Sequence, residues 1–133
     1  MFEFNGTGYP DNRGEPDLRE ATALKLARDN ALSYDPGAEI FVPTGATLGI
    51  HSALMALVAE GDGVLLPDPV YDAYQSPIRL AGGVIQPVRS SIVGGRFLLT
   101  TEALEAAATP SSRALILNSP WNPVGTVLTE TEL

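Results

Sequence analysis

Arg113-Ala114-Leu115-Ile116-Leu117 runs directly into Asn118-Ser119-Pro120-Trp121-Asn122-Pro123-Val124-Gly125. The first five residues form a short, nearly continuous apolar run, the pattern of a strand buried on both faces. The eight that follow are turn chemistry, so the strand stops abruptly and the chain is held in an ordered bend. Asn122 lies between Pro120 and Pro123, which gives it a fixed place and a carboxamide able to donate to an oxygen. The same residues also suit simple loop rigidity, with Asn before Pro as ordinary turn chemistry.

The grammar of that stretch recurs upstream. Val64-Leu65-Leu66 is a second buried run, stopped by Pro67-Asp68-Pro69, with a helix expected from Tyr71 to Leu80 and closed by Gly82-Gly83. Val84 to Val88 reads as another strand, and Ile40 to Val42 as the earliest one. Between them, Thr44-Gly45-Ala46-Thr47 turns the chain into an apolar helix from Leu48 to Ala59. Near the start, Asn5 to Glu15 is loop. Pro16 suits the first helical position, and Leu18, Ala21, Leu24 and Ala31 share a face of the helix that follows, which Pro36-Gly37 terminates. Gly94-Gly95 is a surface turn with Phe97 to Leu99 returning as a short strand. Thr100 or Thr101 caps a helix to Ala108, and Thr129-Glu130-Thr131-Glu132 is a capping box.

Strands alternating with helices, the strands continuously apolar, give an α/β fold: three-layer α-β-α with a mostly parallel sheet. Residues 1–37 lead into the domain and residues 38–133 form it. Ligands of such sheets gather at the strand carboxyl ends, so the turns at Gly45, Tyr71 and Asn122 are expected to surround one pocket.

Composition narrows the chemistry. Of 133 residues only eight are Lys or Arg against sixteen acids, a net charge of -8; such a surface is unsuited to nucleic acid or anionic membrane. There is no cysteine, which removes thiolate chemistry and cysteine-ligated zinc and is consistent with a cytoplasmic protein. No segment reaches the roughly 18 apolar residues of a membrane span, and the first residues are not a signal peptide. A nucleotide-binding doubly wound module is disfavoured, since no Gly-x-Gly-x-x-Gly or Gly-x-x-x-x-Gly-Lys loop is present. The free N–H groups of a helix's first turn after Gly45 suit a phosphate, although a strand–turn–helix with one Gly is also an ordinary tight turn. Tyr71 can stack on a planar ring, or it and Tyr74 can simply pack on the core.

Taken in order, Tyr9…Gly14…Leu18-Arg19, Thr44-x-Ala46, Gly61-Asp62, Val64-Leu65-Leu66-Pro67-Asp68-Pro69-x-Tyr71-x-x-Tyr74, Ala81-Gly82-Gly83 and Asn118-Ser119-Pro120-x-Asn122-Pro123-x-Gly125 resemble the class I/II aminotransferases of pyridoxal-phosphate (PLP) fold type I. The resemblance covers Tyr9 to Leu133 and implies an internal fragment of the large cofactor-binding domain. It implies that Gly45, Ala46 and Thr47 hold the PLP phosphate, that Tyr71 stacks on the pyridine ring, and that Asn122 bonds the phenolic oxygen. Tyr9 would reach the phosphate of a neighbouring subunit in a homodimer, its hydroxyl pointing away from its own chain's pocket. The activity implied is amino-group transfer between an amino acid and a 2-oxo acid. A PLP lyase of the same fold is the near alternative.

The family's Schiff-base lysine, the Asp at the pyridine nitrogen and the substrate-binding Arg would all fall beyond Leu133, so no catalytic residue is assigned. The only lysine, Lys25, reads as a solvated charge on the first helix, and His51, the only histidine, as a helix-packing or surface residue. A non-catalytic chain, or half of a split enzyme completed by a C-terminal chain, is therefore the reading from another class.

Overall fold

The computed structural model describes residue 9 and residues 11–132. Its contacts divide the chain into two compact units, one ending at Gly49 and the other starting at Ile50.

In the first unit, helix α1 spans Pro16–Asn30 with the proline in its first turn. It ends sooner than Pro36-Gly37 suggested. Ala31 turns left-handed at φ 55°, and the Leu32 N–H bonds back to the Leu26 carbonyl at 3.2 Å, the geometry of a helix C-cap. Arg19 is the buried polar residue of this unit, 5% exposed. Its Nε donates to the Gly14 carbonyl (3.1 Å), Nη1 to the Pro36 carbonyl (2.7 Å) and Nη2 to Asp11 Oδ2 (3.2 Å). One side chain thereby joins the loop before α1 to the turn after it. Gly14 sits at φ 95°, where a Cβ would lie 2.6 Å from the Val42 Cβ, so the close passage of the two segments requires glycine. Ile40 to Val42, expected as a strand, belongs to no ladder. Val42 N–H bonds Arg13 carbonyl at 2.9 Å, and no strand among the described residues pairs with this segment. Its β-branched composition favours extension, but a strand exists only against a partner.

Helix α2 spans Ala46–Leu57. The second unit is built on three parallel strands in the order β2-β1-β5: β1 Gly63–Asp68, β2 Val84–Arg89 and β5 Ser112–Leu115. The parallel pairing follows from the connections, because a return to the same sheet direction needs a crossover. Between β1 and β2 the crossover is α3, Gln75–Leu80, preceded by a 3-10 turn over Asp72–Tyr74. The helix expected from Tyr71 is thus split in two. Between β2 and β5 lie a hairpin, β3 Ser91–Val93 with β4 Arg96–Leu98 around Gly94-Gly95, and helix α4, Thr101–Ala107. Thr100 is the cap of α4, accepting from the Ala103 N–H at 3.2 Å. No strand among the described residues pairs with the outer edge of β5, and Leu115 and Leu117 are exposed there.

The core follows from the alternation of β1. Val64 and Leu66 share a face and cluster with Leu54 and Val58, at and just beyond the end of α2, and with Tyr74 and Ile78. At the start of β1, the Gln86 carboxamide reaches over Gly63: Nε2 donates to Thr109 Oγ1 (2.7 Å) and Oε1 accepts from Ser112 Oγ (2.6 Å). No helix among the described residues is long and apolar enough to cross a membrane.

Candidate functional site

β1 and β5 are neighbours and parallel, so their carboxyl ends open on one edge of the sheet. β1 leads through Asp68 and Pro69 to Tyr71. The ladder of β5 continues by one bond, Ile116 N–H to the Leu65 carbonyl at 3.1 Å, and then releases the chain into the Asn118–Gly125 bend. A crevice at this edge is lined by Leu66, Pro67, Val70, Tyr74, Asn118, Trp121 and Asn122, with Leu99, Ile116, Leu117 and Leu128.

The bend is closed by its own backbone. The Trp121 N–H donates to the Thr126 carbonyl (2.7 Å) and the Gly125 N–H to the Trp121 carbonyl (2.6 Å). Asn118 Oδ1 accepts from the Asn122 N–H at 2.9 Å. That bond engages the backbone of Asn122 and leaves its carboxamide free of any hydrogen bond to the described residues. The Ser119–Pro120 and Asn122–Pro123 peptide bonds are both cis.

Two further ties fix the bend in place. The Trp121 indole N–H donates to the Pro69 carbonyl at 2.9 Å, joining residues 52 apart in sequence. Trp121 is 6% exposed and meets the Phe97 ring edge-on, centroids 6.2 Å apart. The Thr126 hydroxyl donates to the Phe97 carbonyl at 3.2 Å. Below the bend, Arg96 forks onto Glu132, Nη1 to Oε1 at 2.6 Å and Nη2 to Oε2 at 2.8 Å. Glu132 also accepts from the Thr129 N–H at 2.8 Å, the capping-box contact read from the sequence. The Arg96 bonds, followed by those from Thr129, push the Glu132 carboxyl down to about 2.

Tyr71 is 42% exposed, and its ring meets Tyr74 edge-on with centroids 5.5 Å apart. Tyr74 is buried in the core cluster, so of the pair one packs inward and the other remains open to solvent. In the first unit, the Gly49 N–H bonds the Gly45 carbonyl at 3.1 Å and opens α2 at Ala46. The N–H groups at the head of a helix have no acceptor within it, and Ala46 and Thr47 are exposed. Gly45 has φ 122°, and nothing lies within 4 Å of where its Cβ would stand. Tyr9 is fully exposed. Lys25 is exposed on α1, donating to Asn30 Oδ1 at 2.8 Å, and His51 is half-buried in α2.

Trp121 and Arg19 carry more of this geometry than the sequence reading assigned them. Trp121 stood only as the variable position of its motif. Its signal was that the chain's single tryptophan lies inside a proline-bounded turn, where a large buried ring with one donor needs an acceptor.

The sequence profile of the family described as "Aminotransferase class I and II" matches residues 5–133. A probable N-succinyldiaminopimelate aminotransferase of Mycobacterium tuberculosis is 43% identical over 125 residues, 94% of this chain and 32% of that protein. Aspartate aminotransferase of Geobacillus stearothermophilus is 39% identical over 127 residues, 96% of this chain and 32% of that protein. The solved structure of N-succinyldiaminopimelate aminotransferase from Mycobacterium tuberculosis superposes with a TM-score of 0.88 at 42% identity, over 95% of this chain and 33% of that one. The chain spans about a third of the length of the curated relatives it matches.

Proposed function

Since the chain belongs to the class I and II aminotransferase family, we propose that it forms the cofactor cradle of a PLP-dependent enzyme that moves an amino group between an amino acid and a 2-oxo acid. When bound, PLP supplies the electron sink for bonds at the amino acid's α-carbon. The chain's own residues bind and orient it. The Ala46 and Thr47 N–H groups, with Gly45 allowing close approach, hold the phosphate at the head of α2. The Tyr71 ring stacks on the pyridine, and the Asn122 carboxamide donates to the phenolic oxygen. Tyr9 reaches the phosphate of a neighbouring subunit in a homodimer. In this reading residues 1–37 lead into the large domain and residues 38–133 belong to it.

The fit rests on three features of the chain itself: an exposed aromatic face at Tyr71, an Asn122 carboxamide without a hydrogen bond to the described residues, and an exposed helix head at Ala46 and Thr47 beside a glycine with open space around it. The observation that carries the proposal is the placement of the Tyr71 and Asn122 loops at the carboxyl ends of adjacent parallel strands, tied together by the Trp121–Pro69 bond. The test is a PLP titration of the chain with inorganic phosphate as competitor. Saturable, phosphate-sensitive binding is expected at roughly millimolar to high-micromolar strength, about 4 to 6 kcal/mol. Asn122→Ala should weaken it about fivefold, the value of one net hydrogen bond. Binding that is not saturable, or that ignores Asn122, refutes the assignment.

A second reading concerns what completes the reaction. The only lysine is exposed on α1 and engaged with Asn30, which favours a chain that works with a lysine supplied from outside residues 1–133, in a complementing partner or otherwise.

A further inference from the structure

We infer that Trp121 is a positioning residue, whose indole N–H, bonded to the Pro69 carbonyl, fixes the Asn122 bend against the loop that carries Tyr71. The relevance of this to a cofactor rests on the reading above; the tie itself does not.

Three observations carry it. The indole N–H is donated across two loops, not within one: Pro69 lies two residues before Tyr71 and Trp121 lies one before Asn122. The ring is 6% exposed and braced edge-on by Phe97, so it has no freedom to trade this acceptor for water. The bend's other bonds hold its internal shape, as from Trp121 to Thr126 and from Asn122 to Asn118, or tie it to β4, as from Thr126 to Phe97; among the described residues this contact is the hydrogen bond that joins it to the loop carrying Tyr71. A buried donor with a single fixed acceptor sets a distance, and a change of that distance moves Asn122 against Tyr71 with neither side chain altered.

The experiment uses Trp121→Phe in the full chain, which keeps an aromatic ring against Phe97 and deletes the donor. Amide hydrogen exchange without any ligand is read first. The Trp121, Asn122 and Gly125 amides should lose protection about fivefold, the scale of one net hydrogen bond, while the Ile116 amide of the β1–β5 ladder keeps its own. Unchanged protection in the bend, or an equal loss at Ile116, overturns the inference. If the phenylalanine variant does not fold, Trp121 replaced by benzothienylalanine, with sulfur for N–H at nearly constant shape, gives the same reading. PLP is then titrated into Trp121→Phe, Asn122→Ala and the double variant. Positioning through Asn122 predicts that the tryptophan change costs about fivefold alone and nothing once Asn122 is gone. A loss of equal size in both backgrounds would make Trp121 a general stabiliser and overturn the positioning role. If the unaltered chain binds no PLP, the cofactor reading fails, and the exchange data decide the tie by themselves.

Discussion

Replacing Arg19 with Met tests the organisation of the first unit. The guanidinium is almost wholly buried and donates to three acceptors on two segments: the Asp11 carboxylate and Gly14 carbonyl before α1, and the Pro36 carbonyl after it. Methionine keeps the apolar stem and removes every donor. The Gly14 and Pro36 carbonyls then lose a donor, while Asp11, whose side chain is 32% exposed, keeps its bonds to Arg13. Losing the charged donor at these half-buried carbonyls costs about 1.5–3 kcal/mol, a substantial part of the 5–15 kcal/mol typical of a whole domain. The reporters are the Gly14 N–H, bonded to the Asp11 carbonyl, and the Val42 N–H, bonded to the Arg13 carbonyl. Their hydrogen exchange should accelerate about tenfold to a hundredfold, since each 1.4 kcal/mol is a factor of ten. Arg19→Lys keeps the charge near Asp11 but cannot fork to three acceptors, so it should recover less than half of the loss. A loss under about 1 kcal/mol in the Met variant would refute the claim that Arg19 holds the loop. Full recovery by Lys would show that the charge matters and the fork does not.

Other perturbations have equally definite outcomes. Gly14→Ala places a side chain at φ 95° and 2.6 Å from the Val42 Cβ; a loss of about 1–3 kcal/mol from the backbone conformation alone is expected in urea unfolding. Glu132 has a folded-state pKa of about 2 against an ordinary 4.5, so its contribution is complete above about 4.5 and is lost as the pH falls toward 2. The Arg96 side-chain resonances should report that release, and Glu132→Gln should remove the step from the acid limb. Borohydride reduction of the chain with PLP should leave Lys25 unmodified, because an exposed amine held by Asn30 has nothing to desolvate it. A stoichiometric, phosphate-competitive adduct on Lys25 in a peptide map would contradict that.

Where the sequence was legible, the reason is that local chemistry decides local structure. Val64 to Leu66 reads as a buried strand and is one; Ala114 to Leu115 reads as buried on both faces and forms a strand, but one whose Leu115 is exposed. Pro16 opened α1, and the capping box of Thr129 and Glu132 formed its bond, though over a 3-10 turn at Glu130–Glu132 where it announces a helix. The failures have separate causes. Ile40 to Val42 has strand composition, but pairing is a property of two segments, and no partner for it lies among the described residues. The start at Tyr71 gave way to a 3-10 turn and a helix from Gln75, because Pro77 fits a helix's first turn and not its interior. Ser91 to Val93 gives no strand signal beyond its β-branched pair and the glycine turn beside it, yet it forms a hairpin arm. The turns at Tyr71 and Asn122 could be placed at strand ends from the sequence. The contact between their loops could not, since the bond from Trp121 to Pro69 joins positions 52 residues apart and no local pattern encodes it.

The outer edge of β5 has a colloidal consequence. Among the described residues no strand pairs with its backbone groups along Ser112–Leu115, beside exposed Leu115 and Leu117, and such an edge is a template on which another molecule's strand can add. What keeps molecules apart is the net charge of -8, which acts over a Debye length of about 10 Å at 0.1 M salt and about 3 Å at 1 M. Concentrated salt, usually harmless to a folded chain, therefore removes the barrier to edge-to-edge growth here, and dilute buffer well above the isoelectric point is the condition that keeps the molecule dispersed.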